Sequence, residues 1–246
     1  MTKEFKIVHE QHIDGTPEQV FDAATEGSAG WLWPVDIELK LGGAGPFGST
    51  VTAWDPPHRY ANHLDGENGF YNTLEFEISG RPDGKSWLRY VHSGVIFEDE
   101  ENQYEAAQQH TAFYQHTLAQ YVKYFPGRQA SFAEVQGPES SGAADALQRV
   151  KDALGISDVE AGHGVSVTVD GLGRLDAVVD YLSENFVGLR TANAMYRFFG
   201  RNAFGSVVGM SIHLFADGPV DSGGADDDRV YAEAAAWGAW LNGLFN

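Results

Sequence analysis

Between Gln103 and Phe125, the residues Tyr104, Ala107, Thr111, Tyr114, Leu118, Tyr121 and Phe125 recur every three or four positions. This spacing puts them on one face of a single long helix. The segment before it is patterned for strands, so the helix has a sheet to lie on. The stripe is polar for a face that is to be buried, with tyrosines and a threonine where a dry core would use leucine. A buried tyrosine needs a partner for its hydroxyl. Either the tyrosine tips reach water or the helix roofs a cavity, and the stripe alone leaves both open.

The strands are read in order. Residues 4–12 mix apolar and polar positions around Phe5, Ile7 and Val8 and form a first strand. His9 and His12, three apart on a strand, face opposite sides and cannot share a metal. Thr16-Pro17-Glu18-Gln19 starts a helix, with a capping threonine, proline in the first turn and Gln19 completing the capping box. Val20, Phe21 and Ala24 give that helix its apolar face, and Gly27 and Gly30 end it ahead of Trp31-Leu32-Trp33-Pro34.

Gly43, Gly45 and Gly48 spell G-x-G-x-x-G, the dinucleotide fingerprint, which works only where a helix follows. Here Ser49 to Trp54 is β-branched and near-alternating, and Asp55-Pro56-Pro57 stops it, so the stretch predicts a strand ending in a turn. A meander follows: a strand over about 48–54, another over about 58–64, and a hairpin of Tyr71–Ile78 and Trp87–Gly94 around the turn Gly80–Gly84. The acidic Glu98-Asp99-Glu100-Glu101 suits the positive end of the long helix.

With the Gly-Gly pair and Asp55-Pro56-Pro57-His58-Arg59 placed as they are, Ile13 to Arg128 resembles the helix-grip superfamily called SRPBCC or START-like. Within it, the match is to the branch of homologues of the ninety-kilodalton heat-shock chaperone's ATPase activator. The resemblance implies a curved antiparallel sheet gripping a long C-terminal helix, an α+β fold. It also implies three candidate roles: binding of an apolar molecule between sheet and helix, chaperone-associated regulation, or aromatase/cyclase-like catalysis.

After Pro126-Gly127-Arg128 the pattern begins again. Ser131–Val135 reads as a strand, Ala143, Leu147, Val150 and Leu154 as a helix closed by Gly155, and Gly164–Val169 as a strand. Leu175–Leu182 and Phe186–Leu189 read as a hairpin around Ser183-Glu184-Asn185. Thr191 then caps a short helix running to Phe199, and Ser206–Phe215 is a strand. Asp217–Asp228 reads as a solvated loop whose spacing does not fit a calcium-binding EF-hand. A last helix carries Val230, Ala234, Trp237, Leu241 and Leu244 on its buried face. The expected domains are therefore 1–128, a helix-grip unit, and 129–246, a smaller α+β unit that looks like a degenerate copy.

Composition narrows the function. With a net charge of −19 and scattered cations, the surface repels phosphate backbones, and no nucleic-acid partner is expected. No run approaches the roughly 18 apolar residues of a membrane span. The start Met1–Lys6 lacks the apolar region of a signal peptide, and the chain reads as cytoplasmic. The absence of cysteine removes disulfides, thiolate metal sites and cysteine nucleophiles.

No G-x-S-x-G elbow, H-E-x-x-H or Walker loop appears. His110 and His116 lie about 240° apart around their helix and do not converge. No residue is assigned a catalytic or metal-binding role and no cofactor is expected, which favours a binding protein over an enzyme. The expected partner is a small apolar or aromatic ligand, with a chaperone implied only by the resemblance. Trp54, His63, Trp87, His92, Tyr114 and Tyr121 are the candidate lining of its cavity. Nothing in the sequence assigns an oligomeric state.

Overall fold

The computed structural model describes residues 3–96, 100–216 and 227–246. The chain divides into two compact units, Met1–Gly127 and Arg128–Asn246. The first runs β1 (Lys3–Ile13), α1 (Pro17–Ala24), β2 (Thr50–Asp55), β3 (Arg59–Asp65), β4 (Tyr71–Gly80), β5 (Ser86–Ile96) and α2 (Glu100–Tyr124). Its strands form one antiparallel sheet in the order β1-β5-β4-β3-β2. The sheet with its C-terminal helix is an α+β, helix-grip arrangement.

Local chemistry sets the elements that frame the site. At α1, Thr16 and Gln19 satisfy each other's backbone N–H groups, at 3.4 and 2.9 Å, and Pro17 stands in the first turn. Val20, Phe21, Ala23 and Ala24 are its buried face. The Gly43–Gly48 stretch forms a short 3-10 turn over Pro46–Gly48 and passes straight into β2, so no helix N-terminus is there to meet a pyrophosphate. Phe47 within this turn has φ 56° and ψ 29°, the left-handed region that a bulky side chain avoids.

Along α2, the C-terminal half is bedded in the unit: Phe113, Thr117, Leu118, Tyr121, Val122 and Phe125 are all buried. Gln103, Tyr104 and Glu105 at the other end are exposed. Asp14 clips the bedded end, receiving Lys123 at 2.7 Å and Lys85 at 2.9 Å. Lys123 first and Lys85 second hold its carboxyl down at about 2.

The second unit comprises β6 (Ala130–Gln136), α3 (Ala146–Leu154), β7 (Gly164–Val169), β8 (Gly173–Leu182), β9 (Phe186–Arg190), β10 (Ala194–Phe199), β11 (Gly209–Phe215) and α4 (Asp227–Phe245). Its six-stranded sheet has the order β6-β11-β10-β9-β8-β7. Both units thus share one wiring: the first strand pairs with the last, the rest follow in reverse, and a helix closes each. The second unit has the extra strand, six against five, although the sequence reads as the shortened copy. Its core places Trp237 of α4, fully buried, against Tyr196 and Phe198, with both ring centroids at 5.4 Å.

One element differs in kind from the sequence reading. Thr191–Phe199, expected as a capped helix, is mostly the strand β10, hydrogen-bonded to β9 and β11. Every residue from Ala194 to Phe199 is buried, so the segment shows no period-2 alternation and mimics a helix in sequence. Glu98 and Asp99 and most of the Asp217–Asp228 loop lie outside the described residues. Asp227 and Asp228 occupy the first turn of α4, where negative charge suits the helix end. Among the described residues, no helix is long and apolar enough to cross a membrane.

Candidate functional site

Strand alternation builds the floor of the site. In the first unit, Tyr60 of β3 is paired with Phe76 of β4, which is paired with Tyr90 of β5. One step along, Asn62, Leu74 and His92 form the next row. Since side chains two apart share a face, both rows project to the same side. Tyr60 and Phe76 stack at 5.8 Å, and Phe76 meets Tyr90 edge-on at 4.9 Å.

Over this floor lies a cavity of about 310 Å³. Its roof is the middle of α2, from Ala107 through His110, Thr111 and Tyr114 to Gln115. Its side wall is the segment after α1, with Trp31, Trp33, Val35 and Ile37, and the turn carrying Phe47 and Ser49. Phe47 lines the cavity while remaining 74% exposed, which puts it at the mouth. Trp33 joins wall to roof through edge-on ring contacts with Phe47 and Tyr114, both at 5.8 Å.

Among the described residues, the lining carries no Asp, Glu, Lys or Arg. His92 accepts no charge readily: burial pushes its imidazole down to about 4, so it is neutral at physiological pH. Its Nε2 donates to Asn72 Oδ1 at 2.7 Å, and Asn62 Nδ2 donates to the Tyr60 hydroxyl at 3.0 Å. Burial, and then the Tyr114 phenol beside it, pushes the Tyr90 phenol far up. Trp33 Nε1, Ser49 Oγ and Gln115 Oε1 are buried polar atoms without a hydrogen-bond partner among the described residues, and all three residues line this cavity. The site is a largely aromatic chamber with a few fixed polar groups, at the small end of the usual 300–1,000 Å³ ligand range.

Of the six candidate residues, the structure brings His92 and Tyr114 to the cavity. Trp87 is five positions from His92 on one strand and so faces the opposite side, where it meets the His12 ring at 4.8 Å and the Arg81 guanidinium at 5.7 Å. His63 lies between the inward Asn62 and Leu64 and turns outward to Thr73 (2.7 Å) and Asp65 (3.0 Å), stacking on Tyr71. Trp54 shares the inner side with its partner Tyr60 but packs under α1, 5.1 Å from Phe21. Tyr121 is two turns beyond Tyr114, wedged where a Cβ on Gly30 would come within 2.5 Å of its ring. Burial and the Asp22 carboxylate push its phenol up to about 12.

The residues missed fall in two groups. Tyr60, Asn62, Phe76 and Tyr90 were accessible by counting in twos from His92 through the strand pairing. Trp33, Phe47 and Ser49 sit on irregular backbone whose path no local pattern encodes. A second groove, about 410 Å³ along the β7–β8 hairpin and Arg190–Ala192, is more open to solvent and far less apolar, and the chamber under α2 is the better candidate.

No family model matches the chain, and no curated protein matches it. Among solved structures, protein MLL2253 from Mesorhizobium loti is similar at 20% identity and a TM-score of 0.41, over 49% of this chain and 98% of its own. CalU16 from Micromonospora echinospora is similar at 17% identity and 0.40, over 48% and 74%. DynU16, from the dynemicin biosynthetic locus, is similar over 97% of both chains, at 16% identity and 0.41.

Proposed function

We propose that the first unit binds a small apolar or aromatic molecule in the chamber between its sheet and α2. The observation that carries this is the chamber itself: about 310 Å³ of partly enclosed space whose described lining carries no Asp, Glu, Lys or Arg. An apolar cavity of roughly 150 Å³ holds benzene, so about twice that volume suits a fused bicyclic ring. Edge-on contacts among Trp33, Phe47 and Tyr114 offer ring faces and edges for such a guest.

A ligand present at 100 times its dissociation constant would add about 2.7 kcal/mol of stability. A thermal-shift screen of uncharged bicyclic aromatics against the purified protein should therefore return stabilisers, and native mass spectrometry would reveal a retained guest. If no member of the panel raises the melting temperature and no retained mass appears, this reading falls. The search would then turn to the other two roles that the resemblance implies, chaperone-associated regulation and aromatase/cyclase-like catalysis.

A further inference from the structure

Resting on that ligand-binding reading, we infer that the chamber selects for an uncharged ligand bearing both a hydrogen-bond acceptor and a donor, recognised by Trp33, Ser49 and Gln115. Three observations converge on this specificity. The first is the placement of the unsatisfied atoms. Buried polar groups in folded proteins are nearly always paired, and each exception calls for an explanation. Trp33 Nε1, Ser49 Oγ and Gln115 Oε1 are such exceptions among the described residues and all three line one cavity, while Trp237 Nε1 and Asn202 Oδ1 are exceptions away from it. Gln115 and Ser49 are only 1% and 5% exposed, so bulk water does not serve them.

The second observation is chemical type. An indole N–H can only donate, an amide oxygen can only accept, and a hydroxyl can do either. A pure hydrocarbon would leave all three unpaired and would forfeit the desolvation already suffered. A guest with a hydroxyl or carbonyl beside Trp33 and a hydroxyl or N–H beside Gln115 would satisfy them. Such a requirement discriminates strongly, because an analogue lacking the group leaves the site's polar atoms stranded.

The third is charge. With no Asp, Glu, Lys or Arg among the described lining residues, a carboxylate or phosphate would shed its hydration and find no fixed counter-ion. The net charge of −19 also opposes its approach. A quaternary cation would find aromatic faces but no use for the Trp33 N–H. The uncharged guest is the one that meets every demand.

The test uses one ring system in four forms: a naphthalenediol, naphthalene, naphthoate and naphthylmethyl-trimethylammonium, titrated calorimetrically into the intact protein. The expected order places the diol roughly tenfold or more tighter than naphthalene, with naphthoate and the ammonium weaker still. Gln115→Met, Ser49→Ala and Trp33→Phe should each reduce the diol-to-naphthalene affinity ratio about three- to tenfold. Because the readout is a ratio within one variant, a general change of cavity shape cancels. The unliganded Gln115→Met protein should also melt higher than wild type, since a stranded amide has been replaced by a thioether of similar shape.

If naphthalene binds as well as the diol, if naphthoate or the ammonium matches it, or if no variant changes the ratio, the inferred specificity is wrong while the ligand-binding reading stands. If none of the four binds, the ligand-binding reading fails and takes the specificity with it.

Discussion

The Trp33 and Tyr114 rings meet edge to face, 5.8 Å between centroids and 89° between planes. One stands on irregular chain after α1 and the other on α2, so this contact helps hold the side wall of the chamber to its roof. Tyr114→Ala should therefore cost about 2–3 kcal/mol in stability and abolish the thermal shift given by a bicyclic ligand. Tyr114→Phe keeps the ring and should retain most of both. A ligand shift that persists undiminished in Tyr114→Ala would place the guest elsewhere.

Phe47 invites the opposite substitution. It holds a left-handed backbone conformation at φ 56° and is 74% exposed, so glycine relieves backbone strain and gives up little buried area. Phe47→Gly should change stability by less than about 1 kcal/mol, because the relief is offset by the freer unfolded chain. Ligand dissociation should quicken, as the aromatic ring at the mouth is gone. Stopped-flow displacement of a fluorescent bicyclic guest would measure it, and an unchanged off-rate would show that Phe47 does not guard the opening.

His92 gives a pH signature. Its folded value of about 4 lies below the 6.5 of a free imidazole. Between these limits the unfolded chain takes up a proton that the folded protein refuses, so stability falls as pH drops from 6.5 towards 4. At 1.36 kcal/mol per unit the loss approaches about 3 kcal/mol. His9, also pushed down by burial, adds a contribution of the same sign. Urea unfolding across this range should show a visibly flatter pH dependence in His92→Gln than in wild type. Parallel curves would mean that His92 titrates normally.

The second unit supports a test of independence. Trp237 fills the space between α4 and its sheet, where the first unit keeps a chamber. Trp237→Ala should cost about 3–5 kcal/mol. We propose that the two units are separate domains, so amides from β6 to α4 should lose exchange protection while those from β1 to α2 keep theirs. Simultaneous loss in both would identify one cooperative body.

Much of this architecture was readable from the chain. The capping box at Thr16, the turn residues around Pro56-Pro57 and the three-four stripe from Tyr104 to Phe125 are local signals, and each gave its element. β10 was misread because a strand buried on both faces loses its alternation. The site was half legible for a related reason. His92 and Tyr114 follow from pattern, but pairing His92 with Trp87 ignored the strand's own parity, since positions five apart face opposite ways. Trp33, Ser49 and Phe47 depend on where an irregular segment travels in space, which is decided by tertiary packing. Gln115 also had a usable sign, an amide on the sheet-facing side of a helix otherwise patterned for burial, as did the strand residues in step with His92.

Lys123 ties to Asp14, itself held by Lys85, the end of α2 that is already sunk among Leu118, Val122 and Phe125, whereas the end nearer Ala107 and His110 rests on fewer buried side chains. α2 is thus sunk deepest where it leaves the chamber, and its burial thins over the turns that precede the roof.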